Sequence, residues 1–154
     1  MINLQRILLP TDFSEYSAAA TSYACEFTDR FDADLHVVHI LQLLPTTTPT
    51  FAGGLAWNKF MHESRDAAAE SLATLLPDEW VQRHRVFTTV LAGTPFLEIV
   101  RYAKDNDIDM IVMGTHGHSG LAHMLMGSVA ERVVRKAPCP VLTVRPEGHQ
   151  FVMP

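Results

Sequence analysis

Three glycines and a serine, spaced Gly-x2-Gly-x9-Gly-Ser at Gly114, Gly117, Gly127 and Ser128, form the part of this 154-residue chain best suited to hold an anion. Glycine lets the backbone approach a ligand closely. A helix starting at Ser128 would aim unpaired N–H groups and the positive end of its dipole at whatever precedes it. A phosphate is the natural occupant. The spacing excludes two common nucleotide loops. A Walker loop carries Lys before its Ser or Thr, whereas Met126 and Gly127 precede Ser128. A dinucleotide fingerprint reads G-x-G-x-x-G, whereas these glycines run 114, 117, 120.

Other residues with chemical potential are sparser. Asp12 directly follows an apolar run, where it either caps the next turn or faces a ligand. His116, His118 and His123 cluster in the glycine loop, but no carboxylate or Cys accompanies them at ligand spacing, so the loop reads as polar and not as a metal site. His39, on an apolar stretch, reads as a hydrogen-bonded structural histidine. Cys25 and Cys139 stand far apart with no second thiol nearby, which fits packing in a reducing cytosol and signals neither a zinc knuckle nor a redox pair.

The elements that must position these residues alternate. Ile7-Leu8-Leu9, closed by Pro10, reads as a strand buried on both faces. A helix follows from an N-cap at Ser14, with Tyr16, Ala19, Ala20, Tyr23, Ala24, Phe27 and Phe31 at helical spacing. Leu35 to Ile40 is the second strand, and residues 41–54, with Pro45, Pro49 and Gly53-Gly54, read as a long loop. Phe60, Ser64, Ala67, Ala68, Ser71, Leu72 and Leu75 line a helix stopped by Pro77-Asp78. Residues 85–91 and 108–113 are the third and fourth strands. Between them lies a helix carrying Phe96, Ile99, Val100 and Ala103, opened by Thr94-Pro95. Val129, Ala130, Val133 and Val134 line the last helix before a fifth strand at 141–145. Residues 1–146 form one domain and 147–154 a tail.

Strands alternating with helices imply parallel crossovers. The expected fold is α/β, a single-domain, doubly wound, five-stranded parallel sheet with helices on both faces and strand order 3-2-1-4-5. In such sheets ligands bind beyond the carboxyl ends of strands where the strand order reverses. Pro10-Thr11-Asp12, His39-Ile40 and Met113-Gly114 all occupy such ends. Composition narrows the partners. The net charge is −5, and Arg132, Arg135 and Lys136 are the only close basic group, which argues against nucleic acid. No apolar run is long enough to cross a membrane, and no leader pattern opens the chain.

These motifs together resemble the universal stress protein family, in particular its nucleotide-binding branch, whose mark is G-x2-G-x9-G-[ST]. Ile-Leu-Leu-Pro-Thr-Asp-Phe-Ser at 7–14, Val-Val-His-Ile at 37–40 and Ala-Pro-Cys-Pro-Val-Leu-Thr-Val at 137–144 extend the resemblance along the chain. It implies a Rossmann-like fold akin to the adenine nucleotide alpha hydrolases, and a site for ATP, ADP or AMP. That site would comprise Pro10, Thr11, Asp12, Ile40, Met113, Gly114, Gly117, His118, Gly127, Ser128 and Val129. Ile40 would offer backbone hydrogen bonds to adenine, and Asp12 could meet a nucleotide-bound Mg2+ or Mn2+. The resemblance also implies a homodimer through Val141, Leu142, Thr143 and Val144. Relatives often carry Arg where this chain has His118, and residues 114–128 contain no Lys or Arg. Phosphate charge is thereby left to the backbone, the helix dipole, a divalent ion or the imidazoles. The expectation is a cytoplasmic stress-response protein acting as a nucleotide sensor, with no catalytic residues assigned. A slow metal-dependent ATPase using Asp12 and a nucleotide-free dimeric interaction module are the alternatives.

Overall fold

The structure, a computed structural model, describes residues 2–42, 53–117 and 126–146. Its elements in chain order are β1 (Arg6–Pro10), α1 (Glu15–Phe31), β2 (Asp34–Gln42), α2 (Gly53–Ala73), α3 (Asp78–Val81), β3 (Val86–Gly93), α4 (Pro95–Asp105), β4 (Met110–Gly114), α5 (Ser128–Lys136) and β5 (Val141–Val144). Among the described residues the five strands make one sheet in the order β3-β2-β1-β4-β5. Every pairing is parallel. The fold is therefore the expected α/β, doubly wound, five-stranded parallel sheet.

Parallel strands covered on both faces must be apolar in both directions, and β1 shows it. Ile7 and Leu9 join the core shared with α1 and α2, while Leu8 joins the core shared with α4 and α5. The two clusters lie on opposite faces of the sheet. The reversal falls between β1 and β4: β1 leads through α1 toward one edge, and β4 leads through α5 toward the other. A crevice opens beyond their carboxyl ends.

Two helices differ from the sequence expectation. α1 buries Ser17, Ala20, Ala24 and Thr28, a stripe of small side chains, whereas Tyr23 and Phe31 stay exposed. The close seat of α1 on the sheet leaves no room for aromatic rings beneath its axis. α2 begins at Gly53, inside the stretch expected as loop, and its carboxyl-terminal half buries Ala68 and Leu72, with Leu76 buried just beyond its end. Phe60 is 58% exposed and packs on Trp57 instead of the core. The short α3 was not foreseen. A single turn of four residues after a helix-stopping Pro77 carries too little periodicity to announce itself.

His36, on β2, lies buried with Nδ1 3.0 Å from the Tyr102 hydroxyl and its ring stacked on Phe87. Burial lowers its pKa below the ordinary 6.5, Asp34 pulls the other way and Arg6 adds to the lowering. The folded chain thus resists a proton that the unfolded chain takes up. The stability due to neutral His36 is present above about pH 6.5 and is lost as pH falls through that value toward the folded-state pKa. Denaturant melts at pH 7.5 and pH 5 should show a smaller acid loss for His36→Gln than for the parent chain. An equal loss in both would remove His36 from the pH response.

Candidate functional site

The junction between β1 and α1 is tightly built. Thr11 N–H donates to the Val38 carbonyl at 2.9 Å, which carries the chain one step beyond the ladder. The buried Thr11 hydroxyl donates to Ser17 Oγ at 3.1 Å and accepts from Phe13 N–H at 3.0 Å. Phe13 adopts the left-handed conformation (φ 62), rare for a bulky residue. This bend returns Ser14 to Asp12: Asp12 Oδ1 accepts from Ser14 N–H at 3.0 Å and from Ser14 Oγ at 2.5 Å. Ser14 in turn is the N-cap of α1, accepting from Ser17 N–H. Asp12 therefore does help to cap the turn, and its second carboxylate oxygen lies against Gly117, where a Cβ would overlap it.

The loop leaving β4 is closed on itself. Gly127 N–H donates to the Thr115 carbonyl at 2.7 Å, and Thr115 N–H donates to the Val144 carbonyl at 3.0 Å. The Gly127 amide is thus used within the protein and is not a donor for a ligand. Gly127 is the N-cap of α5 but supplies no side-chain cap, and Glu131 N–H is paired to the Gly127 carbonyl at 3.0 Å. The amides of Ser128, Val129 and Ala130 are the ones a helix start leaves without an intrahelical acceptor. His116 packs against the Tyr16 ring, with Nδ1 3.0 Å from Thr115 Oγ1.

Between these loops lies a cavity of about 440 Å³. Pro10, Thr11, Asp12, Ile40, Met113, Gly114, Gly117, Gly127, Ser128 and Val129, residues expected at one site from the sequence, all line it. His118 lies outside the described residues. Ser17, Gln42, Pro95, Ile99, His116 and Ala130 also line the wall and were not singled out for it. Gln42 could have been found from periodicity, since it shares a face of β2 with Ile40. Pro95 and Ser17 enter through tertiary packing that no local pattern announces. Among the described residues no group of three His, Cys, Asp or Glu side chains is arranged to hold a metal ion.

Backbone direction decides what Ile40 presents. Along β2 the main-chain groups alternate: Asp34 N–H bonds toward β1 at the Gln5 carbonyl, Leu35 N–H bonds toward β3 at the Arg85 carbonyl, and the Val38 carbonyl again faces the β1 side. Ile40 shares the phase of Val38, but the β1 ladder ends at the Pro10–Val38 pair. Its N–H and C=O therefore point past the end of β1, on the cavity side. His39, in the opposite phase, places Nδ1 2.8 Å from the Thr11 carbonyl, the structural hydrogen bond expected of it.

The universal stress protein family profile matches residues 3–145. The chain belongs to that family. Universal stress protein MJ0531 of Methanocaldococcus jannaschii is 34% identical over 143 residues, covering 92% of this chain and 82% of that protein. Among solved structures, universal stress protein UspA from Lactobacillus plantarum superposes with a TM-score of 0.82 at 25% identity, covering 94% of this chain and 100% of the other. The fold also matches the universal stress protein from Archaeoglobus fulgidus in complex with dAMP, with a TM-score of 0.61 at 22% identity over 93% of this chain and 98% of that one. Among the described residues of this universal stress protein, no helix is long and apolar enough to cross a membrane.

Gly114 has a structural duty independent of any ligand. A Cβ there would stand 2.5 Å from the Tyr16 carbonyl oxygen and 2.7 Å from its carbon, so α1 sits directly on this glycine. Neither partner is a flexible side-chain end. Gly114→Ala should destabilise the fold by about 1–3 kcal/mol, the usual range for overpacking. Urea unfolding measures it, and an unchanged midpoint would show that α1 is not seated so closely.

Proposed function

We infer that this universal stress protein binds an adenine nucleotide in the cavity between the β1 and β4 loops and acts as a homodimeric sensor in a stress response. The observation that carries the reading is the main-chain N–H and C=O of Ile40, directed past the end of β1 into the cavity. Together they offer a donor and an acceptor from one residue, which is the complement of an adenine edge carrying a ring nitrogen acceptor beside an amino donor. Guanine presents a carbonyl where adenine presents the amino group, and meets that pair in the wrong sense. Ile40, Pro95, Ile99 and Met113 supply apolar walls for a flat base. The uncapped start of α5 supplies amides for a phosphate at the other end.

A solved neighbour that shares the fold, the universal stress protein from Archaeoglobus fulgidus, is in complex with dAMP. Ribose and phosphate would run from Gly114 past Gly117 toward Ser128 and Val129, the direction set by the base end at Ile40. When bound, a divalent ion would offset phosphate charge, and Asp12, which lines the cavity, would be the carboxylate to meet it. The reading is of binding and signalling. Phosphoryl transfer needs charge stabilisation at the terminal phosphate, and the described cavity wall offers no Lys or Arg for it.

Calorimetric titration tests the base assignment. AMP should bind at least tenfold more tightly than GMP, and equal affinities would remove Ile40 as the reader of the base.

The dimer belongs to the same reading. β5 is a sheet edge, which proteins normally pair or cover. The Pro140 and Val144 carbonyls accept from Ile111 and Thr115 on the β4 side, so by alternation Val141 and Thr143 direct their main-chain groups outward. Val144 is only 6% exposed, and its side chain belongs to the monomer core together with Leu142. Thr143→Pro removes one outward N–H while sparing the β4 ladder. Light scattering should show the mass of this variant falling by half. A retained dimer mass would place the seam elsewhere.

A further inference from the structure

The ladder between β1 and β2 stops one rung earlier than its phase allows. Asp34 N–H donates to the Gln5 carbonyl at 2.7 Å, and at the other end Thr11 N–H donates to the Val38 carbonyl at 2.9 Å. A residue in a parallel ladder bonds through its N–H to one residue of the neighbouring strand and through its C=O to the residue two further on. The regular donor to the Thr11 carbonyl is therefore Ile40 N–H. The paired register nevertheless ends at Pro10 and Val38.

A side chain takes that acceptor instead. His39 Nδ1 lies 2.8 Å from the Thr11 carbonyl oxygen. A carbonyl only accepts, so Nδ1 carries a proton whether the ring is neutral or charged. His39 stands two residues beyond Val37, whose side chain belongs to the core on the α1 side of the sheet, so the ring approaches Thr11 from that side. It draws the carbonyl out of the sheet plane and off the line of the Ile40 amide. The ring is itself braced: Phe13, left-handed at φ 62, packs on it with ring centroids 4.7 Å apart. Phe13 N–H donates in turn to the Thr11 hydroxyl at 3.0 Å, which closes the bend around the same residue.

We propose that His39 is a positioning residue for the base: by holding the Thr11 carbonyl it withholds the acceptor that would draw Ile40 N–H into the sheet, and so keeps the Ile40 main-chain pair open to the cavity. The proposal rests on the adenine-nucleotide reading of that cavity. His39 is not among the residues that line it and acts through Thr11 and Ile40, which are.

Two substitutions separate the hydrogen bond from the packing of the ring. His39→Phe keeps a ring for Phe13 and removes the donor, whereas His39→Asn removes the ring and offers an amide N–H close to where Nδ1 stands. Amide hydrogen exchange at Ile40, followed by NMR without nucleotide, reads the main-chain pair directly. In His39→Phe the released Thr11 carbonyl should take up Ile40 N–H and slow its exchange by about tenfold or more, the opposite of what a loosened fold produces. Calorimetry should show AMP binding about tenfold more weakly in the same variant, the loss expected when a base acceptor goes unpaired. His39→Asn should keep both quantities within about threefold of the parent chain, because the donor is retained.

An Ile40 amide that exchanges at the parent rate or faster in His39→Phe would overturn the proposal. So would the reverse order, with His39→Phe matching the parent chain and His39→Asn impaired. Should His39→Phe not fold, His39→Asn decides alone: parent-like exchange and affinity without the ring support the donor role, and lost AMP affinity overturns it. If the parent chain binds no AMP, the adenine reading falls, while the Ile40 exchange rates still decide what His39 does to the ladder.

Discussion

The close seat of α1 on Gly114 is the constraint on which the rest of the molecule depends. With the Tyr16 carbonyl where a Cβ of residue 114 would stand, the first turn of α1 covers the end of β4 with backbone instead of side chains. Small residues follow of necessity, and Ser17, Ala20, Ala24 and Thr28 form the buried stripe. The same approach brings Asp12 to Gly117 and Tyr16 to His116, so the β1 and β4 loops meet across a cavity instead of splaying apart. Cys25, on the flank of this helix, shares the consequence. Burial, reinforced by Asp29, pushes its thiol up to about 11, which makes it a packing residue without thiolate reactivity at neutral pH.

Close packing of this kind tolerates small imperfections. Thr28 Oγ1 is buried without a hydrogen-bond partner among the described atoms, a cost of roughly 1–3 kcal/mol for a group of its kind. The Thr28 carbonyl does serve, accepting the Ala33 N–H at 3.2 Å where α1 ends in left-handed Asp32. The side chain fills space that a larger residue would overfill. Polar burial is better satisfied at the functional end, where Thr11, Ser14 and Ser17 pair with one another and with the main chain.

Much of the architecture was legible because parallel strands announce themselves. Ile7-Leu8-Leu9, Leu35 to Ile40 and Ile108 to Met113 are short, largely apolar runs, and the first and third end at Pro10 and Gly114. The candidate site was legible for the same reason: residues at strand carboxyl ends converge once the strand order is known. What periodicity misread in α1 was Tyr23 and Phe31, which share the helical spacing of the buried Ala20 and Ala24 but stay exposed. Hydrophobic pattern ranks residues by apolarity, and a helix packed on a glycine buries its smallest residues instead. α2 was misread at the other extreme. Gly53-Gly54 looks like a breaker, yet near a helix start glycine forfeits few intrahelical bonds, and Leu55 and Trp57 then stand exposed on the first turns.

Main-chain direction was beyond the sequence altogether. Whether Ile40 offers its amide to a neighbour or to the cavity depends on the phase of β2 against β1 and on β1 ending one residue pair too early to use it. That early end has a cause in Pro10 and Phe13. Proline closes the strand, and the left-handed Phe13 turns the chain away from β2 and onto the Asp12–Ser14 cap. A strained residue thus leaves a polar pair on the neighbouring strand unclaimed at the mouth of an apolar slot. The strain at Phe13, the carboxylate at Asp12 and the open amide of Ile40 are three results of one bend. A substitution that relaxes the bend would therefore move the Ile40 main-chain pair and the Asp12 carboxylate at once, although Phe13 itself does not line the cavity.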